Sequence, residues 1–281
     1  MNRALACALA LSAAGAAAHE GPFFVGPAPK AAPRRVVTLA PSLTDCVVAL
    51  GEQALLVGVS RFDELPAVSK LPRVGGFVDP SVEAVLELHP DLVVVQPAPG
   101  NQAPVEKLGE LGLSVLVLPM HHVAQVETAL EALGKALGVP TRGAALAAEL
   151  ERVRQSVRSR AARLRHPRVL FIYDFEPLVV AGPGSFADEL LRDAGGVNVV
   201  EQAASPYPVY SPESALAARP DLIVDAAEPD ARREAVRGLA PFRSVRWAAL
   251  PSRRLLHPGP ELGAGLEELF ALFQGERDGG R

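Results

Sequence analysis

One pattern occurs twice in the chain. SVEAVLELHPDLVVV occupies residues 81 to 95 and SPESALAARPDLIVD residues 211 to 225, and both reduce to S-x-E-x-x-L-x-x-x-P-D-L-[V/I]-V. The matched glutamates Glu83 and Glu213 lie 213 − 83 = 130 positions apart in 281 residues. That separation is far longer than a solenoid repeat, so it predicts two similar α/β lobes with a cleft between them.

The residues of each copy dictate its local structure. Ser81 and Ser211 suit a helix N-cap, Pro212 suits the first helical position, and Glu83 and Glu213 fall in the positive first turn. Leu86 and Leu216 are expected on the inner face of the helix. Pro90-Asp91 and Pro220-Asp221 end it, and Leu92 to Val95 and Leu222 to Val224 read as buried parallel strands. Each copy is a helix feeding a strand.

The N-terminus carries Arg3 and then an apolar Ala/Leu run from Ala4 to Ala18, too short to span a bilayer. Residues 1–18 are expected to be a signal peptide cleaved near Ala18. Cleavage there leaves Cys46 as the only cysteine, a core thiol in TDCVVAL, and excludes an internal disulfide. Residues 19–33, with Pro22, Pro27, Pro29 and Pro33, read as an extended tether without a core of its own. A formal charge of −4, with no basic face except along one helix, argues against nucleic acid as a partner.

Strand and helix patterns alternate from residue 34 to 120, giving an N-terminal lobe, and resume after His166-Pro167, giving a C-terminal lobe over 167–281. Between them, residues 121–166 read as a helical linker broken at Gly138-Val139-Pro140. Its second helix has an apolar stripe at Leu146, Leu150, Val153, Val157, Ala161 and Leu164, a stiff rod between the lobes. Arg152, Arg154, Arg158, Arg160, Arg163 and Arg165 fall mostly off that stripe and read as a solvated face.

In open parallel sheets, ligands bind beyond the carboxyl ends of the strands. The residues there are Ser42, Arg61, Phe62, Phe77, Gln96 and His121-His122 in the first lobe. Tyr173, Asp174, Glu228 and His257 follow in the second, with Tyr207 and Tyr210 before the repeated helix. All three tyrosines of the chain are in this set, which suits a large, flat, partly polar ligand. Catalysis finds little support. GxGxxG, GxxxxGK[ST], HExxH, GxSxG and CxxC are absent, and Asp174 and Glu176 alternate on an extended segment. An exported two-lobed enzyme is the alternative class. Trp247 reads as core, Gly182-Pro183-Gly184-Ser185 as a weak anion cradle, and no metal site is expected.

The stretches RVVTLAPSLTDCVVALG, VGVSRFDELP, LPRVGGFVDPSVEAVLELHPDLVVV and SPESALAARPDLIV, with the helical linker, resemble the periplasmic substrate-binding proteins of the helical-backbone class, in the group that binds cobalamin, haem and siderophores. The resemblance implies an α/β fold of two Rossmann-like lobes with parallel sheets joined by a long α-helix. It also implies a monomeric periplasmic receptor, not an enzyme and without a cofactor. Such a receptor captures cobalamin in the cleft and delivers it to an inner-membrane ABC permease and its ATPase subunits, with haem or a ferric siderophore as alternative cargo. Glu83 and Glu213 match the family's permease-docking glutamates, and Phe62, Phe77, Tyr173, Tyr207 and Tyr210 are similar to its cleft aromatics.

Overall fold

The repeat folds as the sequence dictates. The computed structural model describes residues 20 to 98, 100 to 227 and 231 to 275; the expected signal peptide and Glu228 lie outside them. The first lobe is built from β1 (Phe23–Val25), β2 (Val36–Thr38), α1 (Pro41–Ala49), β3 (Leu56–Gly58), α2 (Val82–Glu87), β4 (Leu92–Val95), α3 (Gln102–Glu110) and β5 (Val115–Val117). Two helices follow, α4 (Val123–Ala136) and α5 (Pro140–Ala161). The second lobe comprises β6 (Arg168–Phe175), β7 (Leu178–Val180), α6 (Phe186–Asp193), β8 (Val197–Asn198), α7 (Pro212–Ala217), β9 (Leu222–Asp225), α8 (Ala231–Gly238), β10 (Arg246–Ala249) and α9 (Leu262–Gln274).

The two sheets have matching strand orders. The first runs β1-β5-β4-β2-β3 and the second β10-β9-β6-β7, with β8 beside the start of β6. The pairings among β2, β3, β4 and β5, and among β6, β9 and β10, are parallel, whereas β1 and β7 join antiparallel. Buried along their whole length, β2, β4, β5 and β9 are almost entirely apolar, as burial on both faces requires. The chain is therefore α/β with two mostly parallel sheets.

A polar tie fastens the repeat in each lobe. Asp91 Oδ2 accepts the backbone N–H groups of Arg34 and Arg35 at 2.8 and 3.0 Å, and Asp221 Oδ2 accepts that of Arg168 at 2.9 Å. Arg35 in turn donates to the Leu88 and His89 carbonyls, and Arg168 to those of Ala218 and Arg219. His89 (φ 43°) and Arg219 (φ 50°) are both left-handed, which turns the chain out of the helix ahead of the proline. The buried residue of each short helix is Val85 or Ala215, one position before Leu86 and Leu216, which are only half-buried at its flank.

Three expectations are corrected. Residues 19–33 are not a free tether, because β1 within them pairs with β5 in the register Phe23–Val117 to Val25–Val115. The linker arginines are not simply a solvated face. Arg154 is buried and donates to Glu127 (2.8 Å), Glu151 (3.2 Å) and Asp193 (3.0 Å), and Arg158 reaches Asp193 at 2.5 Å. Arg160 lies 4.6 Å from the centre of the Phe270 ring and pairs with Glu267. Third, Tyr210 faces away from the other tyrosines, as described below. The linker helices cross closely at Gly143, where a Cβ would lie 2.6 Å from the Leu130 carbonyl oxygen. One hydrophobic core runs through both lobes and the linker, and further apolar clusters back each sheet.

Candidate functional site

The carboxyl ends of the inner strands of both sheets lead into loops that carry the expected cleft residues. In the first lobe, Ser42 opens α1, and its hydroxyl donates to Gln96 Oε1 at 3.3 Å, joining the loops after β2 and β4. After β3, Phe62 is 58% exposed, with the Arg61 guanidinium 5.4 Å from its ring centre. Arg61 is ion-paired with Asp79, and that hydrogen bond holds the Asp79 carboxyl below its ordinary range. Gly76 makes room for the group, since a Cβ there would lie 2.8 Å from Arg61 Nη2 and 2.9 Å from the Phe62 ring. Phe77 is half-buried against the core.

Sequence reasoning missed Asn101. Its side chain, 1% exposed, donates to the Phe77 and Gln96 carbonyls at 2.8 Å each and accepts the Ala98 N–H at 3.0 Å. A buried amide thus locks two cleft loops together, and each bond also satisfies a backbone group that would otherwise be costly to bury. An Asn next to a loop of small residues and prolines was the available signal.

In the second lobe, Tyr173 ends up beside Phe171 (ring centres 5.0 Å) and Tyr207 (5.5 Å, edge-on). Burial pushes both phenols above their ordinary range. Tyr207 remains 51% exposed. Tyr210 does not join them. Residues 207 to 210 lie extended along β7, with Val179 bridged to Val209, so residues three apart face opposite sides. Tyr210 packs in the apolar cluster behind the second sheet. His257 lies in the loop before α9, its imidazole pushed down by partial burial and by Arg253.

The remaining motifs have structural roles. Asp174 Oδ1 accepts the N–H groups of Phe175 (2.7 Å) and Glu176 (3.1 Å), capping the β6–β7 turn. The turn at Gly184 is filled by its own side chains, Asp188 accepting the Gly184 N–H and Ser185 that of Asp188, so the anion cradle is occupied internally. Trp247 Nε1 donates to the Phe242 carbonyl at 3.1 Å within the core. Cys46 is buried, its thiol pushed up to about 12 by burial, and reacts as an inert core residue. His122 pairs with Glu189. Among the described residues, no cluster of three His, Cys, Asp or Glu side chains forms a metal site, and no helix is long and apolar enough to cross a membrane.

Glu83 and Glu213 are both solvent-exposed in the first turns of equivalent helices, with Ser81 and Ser211 as the N-caps. A hydrogen bond from its own backbone, then one from Ser211, holds the Glu213 carboxyl below its ordinary range. Both lobes thus present an exposed glutamate at the same place.

Residues 36–236 match the family model described as periplasmic binding protein. The chain belongs to the periplasmic binding protein family. A curated relative, the vitamin B12-binding protein of Yersinia pestis (strain Pestoides F), is 27% identical over 197 residues, 70% of each chain. The crystal structure of the periplasmic vitamin B12 binding protein of Vibrio cholerae matches with a TM-score of 0.76 at 25% identity, over 90% of this chain and all of that one. A periplasmic haem binding protein from Pseudomonas aeruginosa matches with a TM-score of 0.74 at 29% identity, over 86% of this chain and 92% of that one. The family and these neighbours are solute-binding receptors, so this chain is a receptor rather than an enzyme and needs no resident cofactor. The helical-backbone, two-lobed architecture expected from the sequence is the one these structures share with it.

Proposed function

We propose that this receptor works in the periplasm, captures cobalamin or a related corrinoid between its lobes, and delivers it to an inner-membrane ABC permease with its ATPase subunits. One observation carries the reading: each lobe leaves an aromatic ring largely exposed in a loop, Phe62 at 58% and Tyr207 at 51% exposure, and we place both in the gap between the lobes. Such rings supply flat apolar area that a ligand face covers. A corrin ring is broad, apolar on its faces and fringed with amides, so it suits an aromatic ring from each lobe with polar groups such as Ser42 and Arg61 at the margins. The vitamin B12-binding relatives support the same cargo. Glu83 and Glu213 are the docking groups in this account, two fixed charges that would meet paired arginines on the permease. The N-terminal apolar run supports export.

Calorimetric titration of the mature protein with cyanocobalamin tests the proposal. Saturable one-to-one binding is expected, and its absence would reject the corrinoid reading. A second reading, haem, is favoured by the half-exposed Tyr207 phenol beside Tyr173, since iron accepts tyrosine as an axial ligand, and by the Pseudomonas aeruginosa neighbour. In that case a hemin titration would give an intense Soret band that Tyr207→Phe or Tyr173→Phe alters. A ferric siderophore is the third cargo to include.

A further inference from the structure

Asp45 and Glu189 occupy equivalent places in the two lobes. Each lies on the helix after the first strand unit, α1 or α6, six residues before a left-handed glycine: 189 − 45 = 144 and, for Gly195 (φ 85°) and Gly51 (φ 76°), 195 − 51 = 144. The helices they face are equivalent too. α4 follows β5 at one end of the β5-β4-β2-β3 order, as α9 follows β10 at the same end of β10-β9-β6-β7.

Glu189 ties the second lobe to the helix that follows the first. Its Oε2 accepts the Val123 N–H at 3.0 Å and its Oε1 pairs with His122 Nδ1, so a carboxylate of the second lobe sits on the positive end of α4. Symmetry calls for Asp45 of the first lobe to sit in the same way on the first turn of α9. Instead a cavity of about 340 Å³ separates them, lined by Asp45 from one side and by Ser252, Arg253, His257, Gly259 and Glu261 from the other. The lobes already approach beside it, where a Cβ on Gly259 would lie 3.6 Å from the Ser42 carbonyl oxygen.

Asp45 is poorly placed as an anion in this arrangement. Burial, then the nearby Asp63 and Glu261 carboxylates, raise its pKa to about 6, and the neighbouring Cys46 thiol is neutral. Arg254 is engaged with Glu261 (3.3 Å) and Glu268 (2.6 Å). His257 is pushed down by partial burial and by Arg253, with Glu64 acting in the opposite sense. The first turn of α9 is what would stabilise the charge if it came within reach.

We propose that Asp45 is a positioning residue that sets the width of the cleft: a swing of the lobes about the α4–α5 linker seats its carboxylate on the first turn of α9 and completes a second clasp, counterpart of the one Glu189 makes. That such closure tightens around cargo rests on the function proposed above; the closure itself does not. Asp45 titrates near 6 in the open form and lower once seated on a helix N-terminus. Closure therefore releases a proton, is fully favoured above about pH 6, and is lost as the pH falls.

Spin labels at Lys70→Cys and Ala249→Cys, one on each lobe, read this directly by pulsed electron resonance, because the buried Cys46 does not label. The interlobe distance should shorten as the pH rises from about 5 to about 7.5 around the Asp45 titration. Asp45→Asn should stay long throughout, and Asp45→Glu should restore the response. Cyanocobalamin affinity should rise by at most about tenfold per pH unit below pH 6 in the native receptor and stay flat in Asp45→Asn. A native distance that ignores pH, or an Asp45→Asn receptor that closes like the native one, overturns the clasp. Closure without cyanocobalamin binding would uphold the clasp and reject only the cargo.

Discussion

Arg154 Nε lies 3.0 Å from Asp193 Oδ2, a buried contact between the linker helix α5 and the second-lobe helix α6. With Glu127 of α4 on the same guanidinium, it joins three helices at one point. Burying one member of such a group without the others strands a charge in a medium of low polarity. Arg158 still pairs with Asp193, so Arg154→Ala should lower unfolding stability by about 1–3 kcal/mol. Denaturant unfolding measures the loss, and a change of a few tenths would show the contact to be incidental.

The duplicated tie predicts matched losses. Asp91→Ala removes the acceptor for the Arg34 and Arg35 N–H groups, and Asp221→Ala the acceptor for that of Arg168. Each variant should lose about 1–2 kcal/mol by urea unfolding, with Asp91→Ala at least as costly because it serves two donors.

Asp63 is 4% exposed, and burial raises its carboxyl pKa, offset in part by Thr44, Ser60 and Arg73. A raised acid in the folded state makes folding harder above the ordinary aspartate range and changes nothing below it, where both states are protonated. Asp63→Asn should raise the melting temperature near neutral pH and leave it unchanged near pH 3, about one unit below the ordinary aspartate value. Equal shifts at both pH values would contradict the assignment.

Docking through the paired acids predicts a clean separation of functions. Glu83→Lys together with Glu213→Lys should abolish import in proteoliposomes carrying a permease the native receptor serves, with cargo affinity intact. Lost affinity would instead assign both residues to the cleft.

Much of this was legible because local chemistry wrote it. The N-cap serines, the Pro-Asp stops and the Val-rich runs fix the repeat without reference to anything distant. What escaped depends on partners remote in the chain. β1 is three residues between prolines, and its pairing partner lies some ninety positions away, so nothing local marks it as a strand. The arginines of α5 resemble a solvated face until folding brings up Asp193 and Glu127. Tyr207 and Tyr210 were separable in principle, since residues three apart on an extended segment face opposite ways, but only the bridge between Val179 and Val209 shows that the segment is extended. Asn101 and Asp45 gave no pattern of their own; the first matters through the loops it joins, the second through its equivalence to Glu189.

The most direct test of a cargo gripped from both sides is cyanocobalamin titration of Phe62→Ala, Tyr207→Ala and the double variant. Burial of an aromatic face is worth about 1–3 kcal/mol, so each single change should weaken binding roughly tenfold or more, and the double variant should bind more weakly than either. Unchanged affinity on removing the ring of either lobe would contradict a site shared between them.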